Sequence, residues 1–409
     1  ASLIKVVPTW VALETLGPSF KWPTEIYTLG PVRNGTLEGN LLIKGYGDPY
    51  LVIEDLWHIV GKLSRKGLRH VNGDLVVDSS YFSSDQSNVR SIDGGHDRLY
   101  NVSPNASMVN FKWVDFVINP SLDGEHTHVN TIPNLPNLRV LNSVETTNKP
   151  CRGKNPNIQL DYFEEDKQDI VKISGTLPKS CKNYTLSRSV LSPEAYLYGL
   201  FKIIINQWGG SISGDYIKGK HDPSRGDAVF HRWNSKSLSE IVLRLNKWSN
   251  NLMARSLVYT IGAEFLDPPG TQEKGISFIK KYLTDRDVDI KQLHIENGSG
   301  LSRSTRVTAK LINDVLRMAW KSPIMPEFVS SLSIAGKDGT TRRRFRDSNT
   351  ENRIRIKTGT LKNVSSVGGY VLGKSGKIFS VVFIANHPNV DRVSGPKFQE
   401  TLMNRISEL

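Results

Sequence analysis

Three short patterns lie at widely separated points of this chain: Ser2-Leu3-Ile4-Lys5, Ser249-Asn250-Asn251 and Lys357-Thr358-Gly359. They do chemistry only as a set. The fold must therefore bring residues 2, 249 and 357 to one place, while residues from about 26 to 222 leave that body and return to it. That demand constrains the architecture more than any local propensity. It calls for a discontinuous domain and an insert large enough for a core of its own. With 409 residues, 38% of them hydrophobic, the chain is long enough for two or three domains.

In this order the patterns are S-x-x-K, S-x-N and K-T-G, signatures of serine acyl-transfer enzymes that activate the nucleophile with lysine instead of histidine. A serine hydroxyl is a poor nucleophile at neutral pH and needs a base within about 2.6–3.2 Å. Lysine serves only when burial or neighbouring cations lower its pKa, so a second lysine beside the first has a reason to be there. Each pattern also recurs by chance. Ser277-Phe278-Ile279-Lys280 and Ser394-Gly395-Pro396-Lys397 fit S-x-x-K, Ser103-Pro104-Asn105 fits S-x-N, and Lys374-Ser375-Gly376 resembles the lysine triplet.

Local context selects among them. Val6–Leu16, with Val7, Val11 and Ala12, suits a buried helix closed by Gly17-Pro18. On such a helix Lys5 lies one turn after Ser2, and the amine can reach the hydroxyl. Pro8 falls inside it, so a kink just after Lys5 is expected; Pro396 likewise should break the turn that follows Ser394. Residues 353–357 alternate like a strand that Thr358 and Gly359 continue, whereas Lys374-Ser375-Gly376 separates two strands as a hairpin turn. Ser249 also suits a helix N-cap, and Ser299, in the turn Gly298-Ser299-Gly300, reads as structural.

Further stretches accompany the motifs: Leu37-Glu38-Gly39-Asn40-Leu41, Gly45-Tyr46-Gly47-Asp48-Pro49, Gly73-Asp74-Leu75, Asn246-Lys247-Trp248, Glu296-Asn297-Gly298-Ser299-Gly300 and Ala335-Gly336-Lys337-Asp338-Gly339-Thr340. On these residues the chain resembles the D-alanyl-D-alanine carboxypeptidase/endopeptidase family of penicillin-binding proteins, the penicillin-binding protein 4 type. The likeness is weakest over residues 114–182.

The resemblance implies an α+β fold. Its catalytic domain would be of the serine β-lactamase/DD-peptidase type, an antiparallel sheet flanked by helices, over residues 1–26 and 222–409. An inserted α+β domain would take 27–114 and 187–221, with a nested β-rich domain at 115–186. Ser2 would attack the penultimate D-alanine carbonyl and Lys5 take its proton. Ser249 would relay a proton to the leaving amine, Asn251 hold the substrate amide or Lys5, and Lys357 bias the site toward anions. Thr358 would contact the terminal carboxylate beside Gly359, and the N–H groups of Ser2 and Thr360 would form the oxyanion hole. No metal or cofactor is implied. The expected partners are peptidoglycan stem peptides and β-lactams, in the periplasm. Members carry strands and a helix before S-x-x-K, so the sequence is expected to be part of a longer chain whose secretory leader was removed. Carboxypeptidase and endopeptidase action both stay open, as does a non-catalytic wall-binding relative or a β-lactamase.

Composition adds bounds. Cys151 and Cys181 are the only cysteines; in an exported chain they would pair, closing a loop of about thirty residues for roughly 3–4 kcal/mol. In a reducing compartment they would be two thiols. The formal net charge is +13, densest at Arg342-Arg343-Arg344-Phe345-Arg346. Without an aromatic-basic or helix-turn-helix signature, this favours peripheral association with anionic surfaces over nucleic acid. Asp123, Glu125, His126 and His128 read as a solvated turn, no apolar run approaches the ~20 residues of a membrane span, and neither H-E-x-x-H nor a nucleotide-binding glycine motif occurs.

Overall fold

The computed structural model describes residues 1–84, 95, 97–151, 157–165, 168–345, 350 and 352–409. They divide into two compact units. One holds Ala1–Trp22, Asn234–Leu409 and a segment beginning at Ser80; the other holds Pro23–Ser79 and Gly95–Trp233.

The first unit is built on a four-stranded antiparallel sheet in the order β1 (Ser333–Ile334), β2 (Ile354–Leu361), β3 (Val364–Leu372) and β4 (Ile378–Asn386). Its helices are α1 (Val6–Leu16), α2 (Leu238–Trp248), α3 (Asn251–Phe265), α4 (Gln272–Thr284), α5 (Ala309–Lys321), α6 (Met325–Ser331) and α7 (Ser394–Ser407). The side-chain period of two sorts the sheet into faces. Val367 and Val371 pack with Ile354, Ile356 and Met403 of α7, and Gln399 of α7 donates to Ser365 Oγ at 2.8 Å. On the opposite face Tyr370 donates its hydroxyl to the Leu316 carbonyl of α5 at 2.6 Å. Lys357 and Gly359, paired with Gly368 and Ser366, lie on this second face.

α1 is buried along Val6–Leu13, apolar on every side as a central core helix must be. A 3₁₀ turn, Ser2–Lys5, leads directly into it, and Val6 N–H donates to the Leu3 carbonyl. Pro8 is the third residue of α1, which runs without a break from Val6 to Leu16, and the change from the 3₁₀ turn to the α-helix falls just after Lys5. Pro396 occupies the same place in α7, so the expected break there is absent as well. Lys374-Ser375-Gly376 is the turn between β3 and β4, and Ser277 and Lys280 lie within α4. From the segment that begins at Ser80, Phe82 forms a bridge with Gly270, and Gly270 N–H donates to the Tyr81 carbonyl at 2.8 Å. Nothing in the local sequence marks that excursion.

The second unit holds a five-stranded mixed sheet in the order Tyr216–Lys218, Leu75–Asp78, Asn40–Gly45, Pro23–Leu29 and Val229–Asn234. Helices Ile53–Arg65 and Pro193–Gln207 complete its α/β part. Between Val114 and Arg188 the described residues form only strands and turns, in two three-stranded sheets. A disulfide joins Cys151 to the buried Cys181, their Cα atoms 5.2 Å apart. One apolar cluster includes Leu41, Leu75 and Phe201 together with Phe116, Val171 and Ile173, so the β-rich stretch shares the core of this unit.

Candidate active site

The first unit brings all three motifs together. The 3₁₀ turn sets Lys5 Nζ 3.0 Å from Ser2 Oγ. The same amine lies 2.7 Å from Asn251 Oδ1 and also donates to the Ser299 carbonyl. Lys357 Nζ donates to Ser249 Oγ and to the Thr358 carbonyl, each at 2.8 Å. Both lysine side chains are fully buried, while Ser2, Ser249 and Asn251 are half-buried and Thr360 is exposed.

Each position has a local reason. Ser249 ends α2 in the left-handed region at φ 57°, and Asn250 caps α3, its side chain accepting from Met253 N–H at 3.0 Å. The N-cap is therefore Asn250 and not Ser249. A non-glycine residue in that region carries a conformational cost of about 1–2 kcal/mol, here at a residue whose hydroxyl meets Lys357. Gly359 has no room for a side chain, because a Cβ would lie 2.6 Å from Leu3 N and 2.9 Å from Ser2 N. The turn at Ser2 thus rests directly on β2, with the Ser2 N–H beside the Gly359–Thr360 stretch. Gly300, at φ +77°, is similarly fixed: a Cβ there would lie 2.2 Å from the Ala1 carbonyl oxygen.

Electrostatics follow from burial. Lys5 is held well below the ordinary lysine range, first by desolvation, then by the positive charges of Lys357 and Arg255. Desolvation brings Lys357 down to about 7. Arg255, buried one turn after Asn251 on α3, is lowered by burial to about 10 and so stays charged at neutral pH. The site therefore sets two amines with depressed proton affinity against two hydroxyls, with a permanent cation behind them.

Two contributors escape reading from sequence. Ser299 enters through its main-chain carbonyl, while its hydroxyl is used locally, donating to Asn297 Oδ1 at 2.8 Å. Arg255 acts through charge on a helix face where a buried arginine carries no motif. Among the described residues no group of three or more His, Cys, Asp and Glu is placed to hold a metal ion. Asp123 lies in a turn where its carboxylate accepts from Glu125 N–H at 2.8 Å. In the basic stretch Arg344 is tied to Glu400 Oε1 at 2.8 Å, and Arg346 lies outside the described residues. No described helix is long and apolar enough to cross a membrane.

A hydroxyl beside a buried amine of lowered proton affinity, with a second amine and hydroxyl opposite, is the arrangement of a serine hydrolase. Comparison with known proteins narrows the class. The model of the D-Ala-D-Ala carboxypeptidase 3 (S13) family matches residues 1–408, and the chain belongs to that family of serine peptidases. It is 30% identical over 401 residues to a D-alanyl-D-alanine carboxypeptidase of Actinomadura sp. strain R39, covering 93% of this chain and 72% of that one. Its structure is similar to the crystal structure of penicillin-binding protein 4 from Haemophilus influenzae, with a TM-score of 0.83 at 25% identity, over 100% of this chain and 91% of the other. A second structure of that protein, complexed with a β-lactam, gives a TM-score of 0.79 at 24% identity over 100% and 90%.

Proposed function

We propose that the chain cleaves D-Ala-D-Ala and D-Ala-diaminopimelate bonds of peptidoglycan stem peptides through an acyl-enzyme on Ser2. Lys5, its proton affinity lowered by burial and by its cationic neighbours, takes the Ser2 proton as Oγ attacks the penultimate D-alanine carbonyl. The N–H groups of Ser2 and Thr360 receive the oxyanion, which is worth about 2.7–4 kcal/mol per donor. Lys357 and Ser249 pass a proton to the leaving amine. Asn251 orients Lys5 and the substrate amide, and Thr358 takes the terminal carboxylate. The proton on Lys5 then refills the Lys357–Ser249 relay. Lys5, free again, takes a proton from the water that attacks the acyl carbonyl and returns it to Ser2 Oγ as the shortened peptide leaves.

The observation that carries this reading is the position of Lys5 Nζ, 3.0 Å from Ser2 Oγ and 2.7 Å from Asn251 Oδ1. The same chemistry makes β-lactams acylating ligands. We further propose a periplasmic location, where stem peptides are met and where a disulfide persists. The positive surface would favour anionic wall polymers there. The insert is taken as an α+β domain, 27–114 and 187–221, with a β-rich domain, 115–186, nested in it.

Labelled penicillin should attach to the peptide containing Ser2, and Ser2→Ala should abolish labelling; a stable adduct on any other residue rejects the assignment. Rapid turnover without a lasting adduct would make the chain a β-lactamase instead. Incubation with monomeric and cross-linked muropeptides, with products identified by mass, separates carboxypeptidase from endopeptidase action. A protein that binds them without releasing D-alanine or cutting the cross-link is a scaffold.

A further inference from the structure

The turn over residues 334–341 is built with unusual care for a surface loop. Ala335 N–H donates to the Ile354 carbonyl of β2 at 3.1 Å, and Lys337 and Asp338 N–H return to the Ile334 carbonyl at 3.1 and 3.2 Å. Asp338 accepts from Ile334 N–H at 2.7 Å and pairs with Lys247, two residues before Ser249. Gly339 sits at φ +54°, where a Cβ would lie 2.3 Å from Ser333 Oγ and 2.6 Å from the Lys247 carbonyl oxygen. The turn is thereby bound both to the helix that delivers Ser249 and to the strand that delivers Lys357. Its apex residue, Thr340, is exposed, and its Oγ1 lies 2.8 Å from Thr358 Oγ1.

Two hydroxyls at this distance on an accessible edge, behind which Lys357 is buried, form a site with two donors for one small anion. One of the two donates to the other, and both can rotate their protons toward an anion set between them. We propose that Thr340 is a substrate-binding residue, its hydroxyl completing with Thr358 the site for the C-terminal carboxylate of the peptide. This rests on the reading of the site given above and extends it to a residue outside the three motifs. The tight turn then has a purpose: it holds a long-range pair of hydroxyls in register with the scissile bond, so that the carboxylate positions the peptide over Ser2.

The test compares an N-acylated peptide ending in D-Ala-D-Ala with its C-terminal amide, using wild type, Thr340→Val, Thr340→Ala and Thr340→Ser. Loss of one hydrogen bond to a charged group should raise KM for the free acid about tenfold or more in Thr340→Val and Thr340→Ala, with kcat changed less than about twofold. The amide should respond little, and Thr340→Ser should recover most of the lost KM. Because the side chain is exposed, the valine and alanine variants should melt with wild type; if valine lowers the melting temperature, alanine decides. Equal losses on acid and amide, or no change on either, overturn the proposal. Wild type that turns over neither peptide and takes no penicillin at Ser2 overturns the parent reading instead.

Discussion

The two lysines of the site are equally buried yet differently held, and the contrast supports the different roles proposed for them. Lys5 meets Ser2, Asn251 and the Ser299 carbonyl and sits under the charges of Lys357 and Arg255. Among the described residues Lys357 donates to Ser249 and its neighbour's carbonyl, and burial lowers its pKa. The first has its proton affinity pushed down by burial and by two cations, which favours the free base that the proposed role requires. The second stays close to neutral pH, where it can hold a proton or release it. Two chemically identical groups thus differ in proton affinity through environment alone, which is the basis of the base and shuttle roles proposed for them.

The sharpest way to break this contrast is to remove each amine in turn. We expect Lys5→Met to slow acylation of Ser2 by a penicillin about a thousandfold or more, and Lys357→Met by about a hundredfold. Stopped-flow acylation rates check both; equal losses would mean that the roles are not divided. Next comes the pH profile of kcat/KM. Because Lys5 acts as the free base, the rate falls as pH drops through its depressed pKa. It falls again above pH about 7 as Lys357 loses its proton. Replacing Arg255 by Gln removes a positive charge, so the Lys5 pKa rises and the acid limb moves to higher pH, by roughly half a unit or more. An acid limb that stays in place would remove Arg255 from the account. The smallest effect concerns backbone strain. Ser249→Gly and Ser249→Ala both lose the bond to Lys357, yet glycine accepts φ 57° freely, so the glycine variant should be the more stable by about 1 kcal/mol in urea unfolding. Coincident unfolding curves would show that the left-handed turn costs nothing.

Much of the fold was legible because its signals are local. The period of α1, the alternation before Lys357 and the turn at Lys374-Ser375-Gly376 each appear where the pattern placed them. Where expectation failed, a residue's position within an element overrode its type. Pro8 and Pro396 look like helix breakers, but each stands in the first turn of its helix, which runs on past it. Ser249 looks like an N-cap, but its neighbour Asn250 takes that place because the two helices meet through a left-handed residue. The use of the Ser299 carbonyl, the placing of the Arg255 charge and the closeness of Thr340 to Thr358 left no trace in the sequence. Main-chain atoms carry no residue signature, and a charge or a hydroxyl acts through space on partners distant in the chain.

By itself the sequence determined the reacting groups, their order and the need for a large insert, since side-chain chemistry and periodicity are written residue by residue. Only the tertiary structure decided how far each lysine's proton affinity is lowered and which serine each amine meets. Proton affinity depends on burial, on nearby charge and on distances of about 3 Å, and those exist only once strand β2, the Ser2 turn and the α2–α3 junction are packed together.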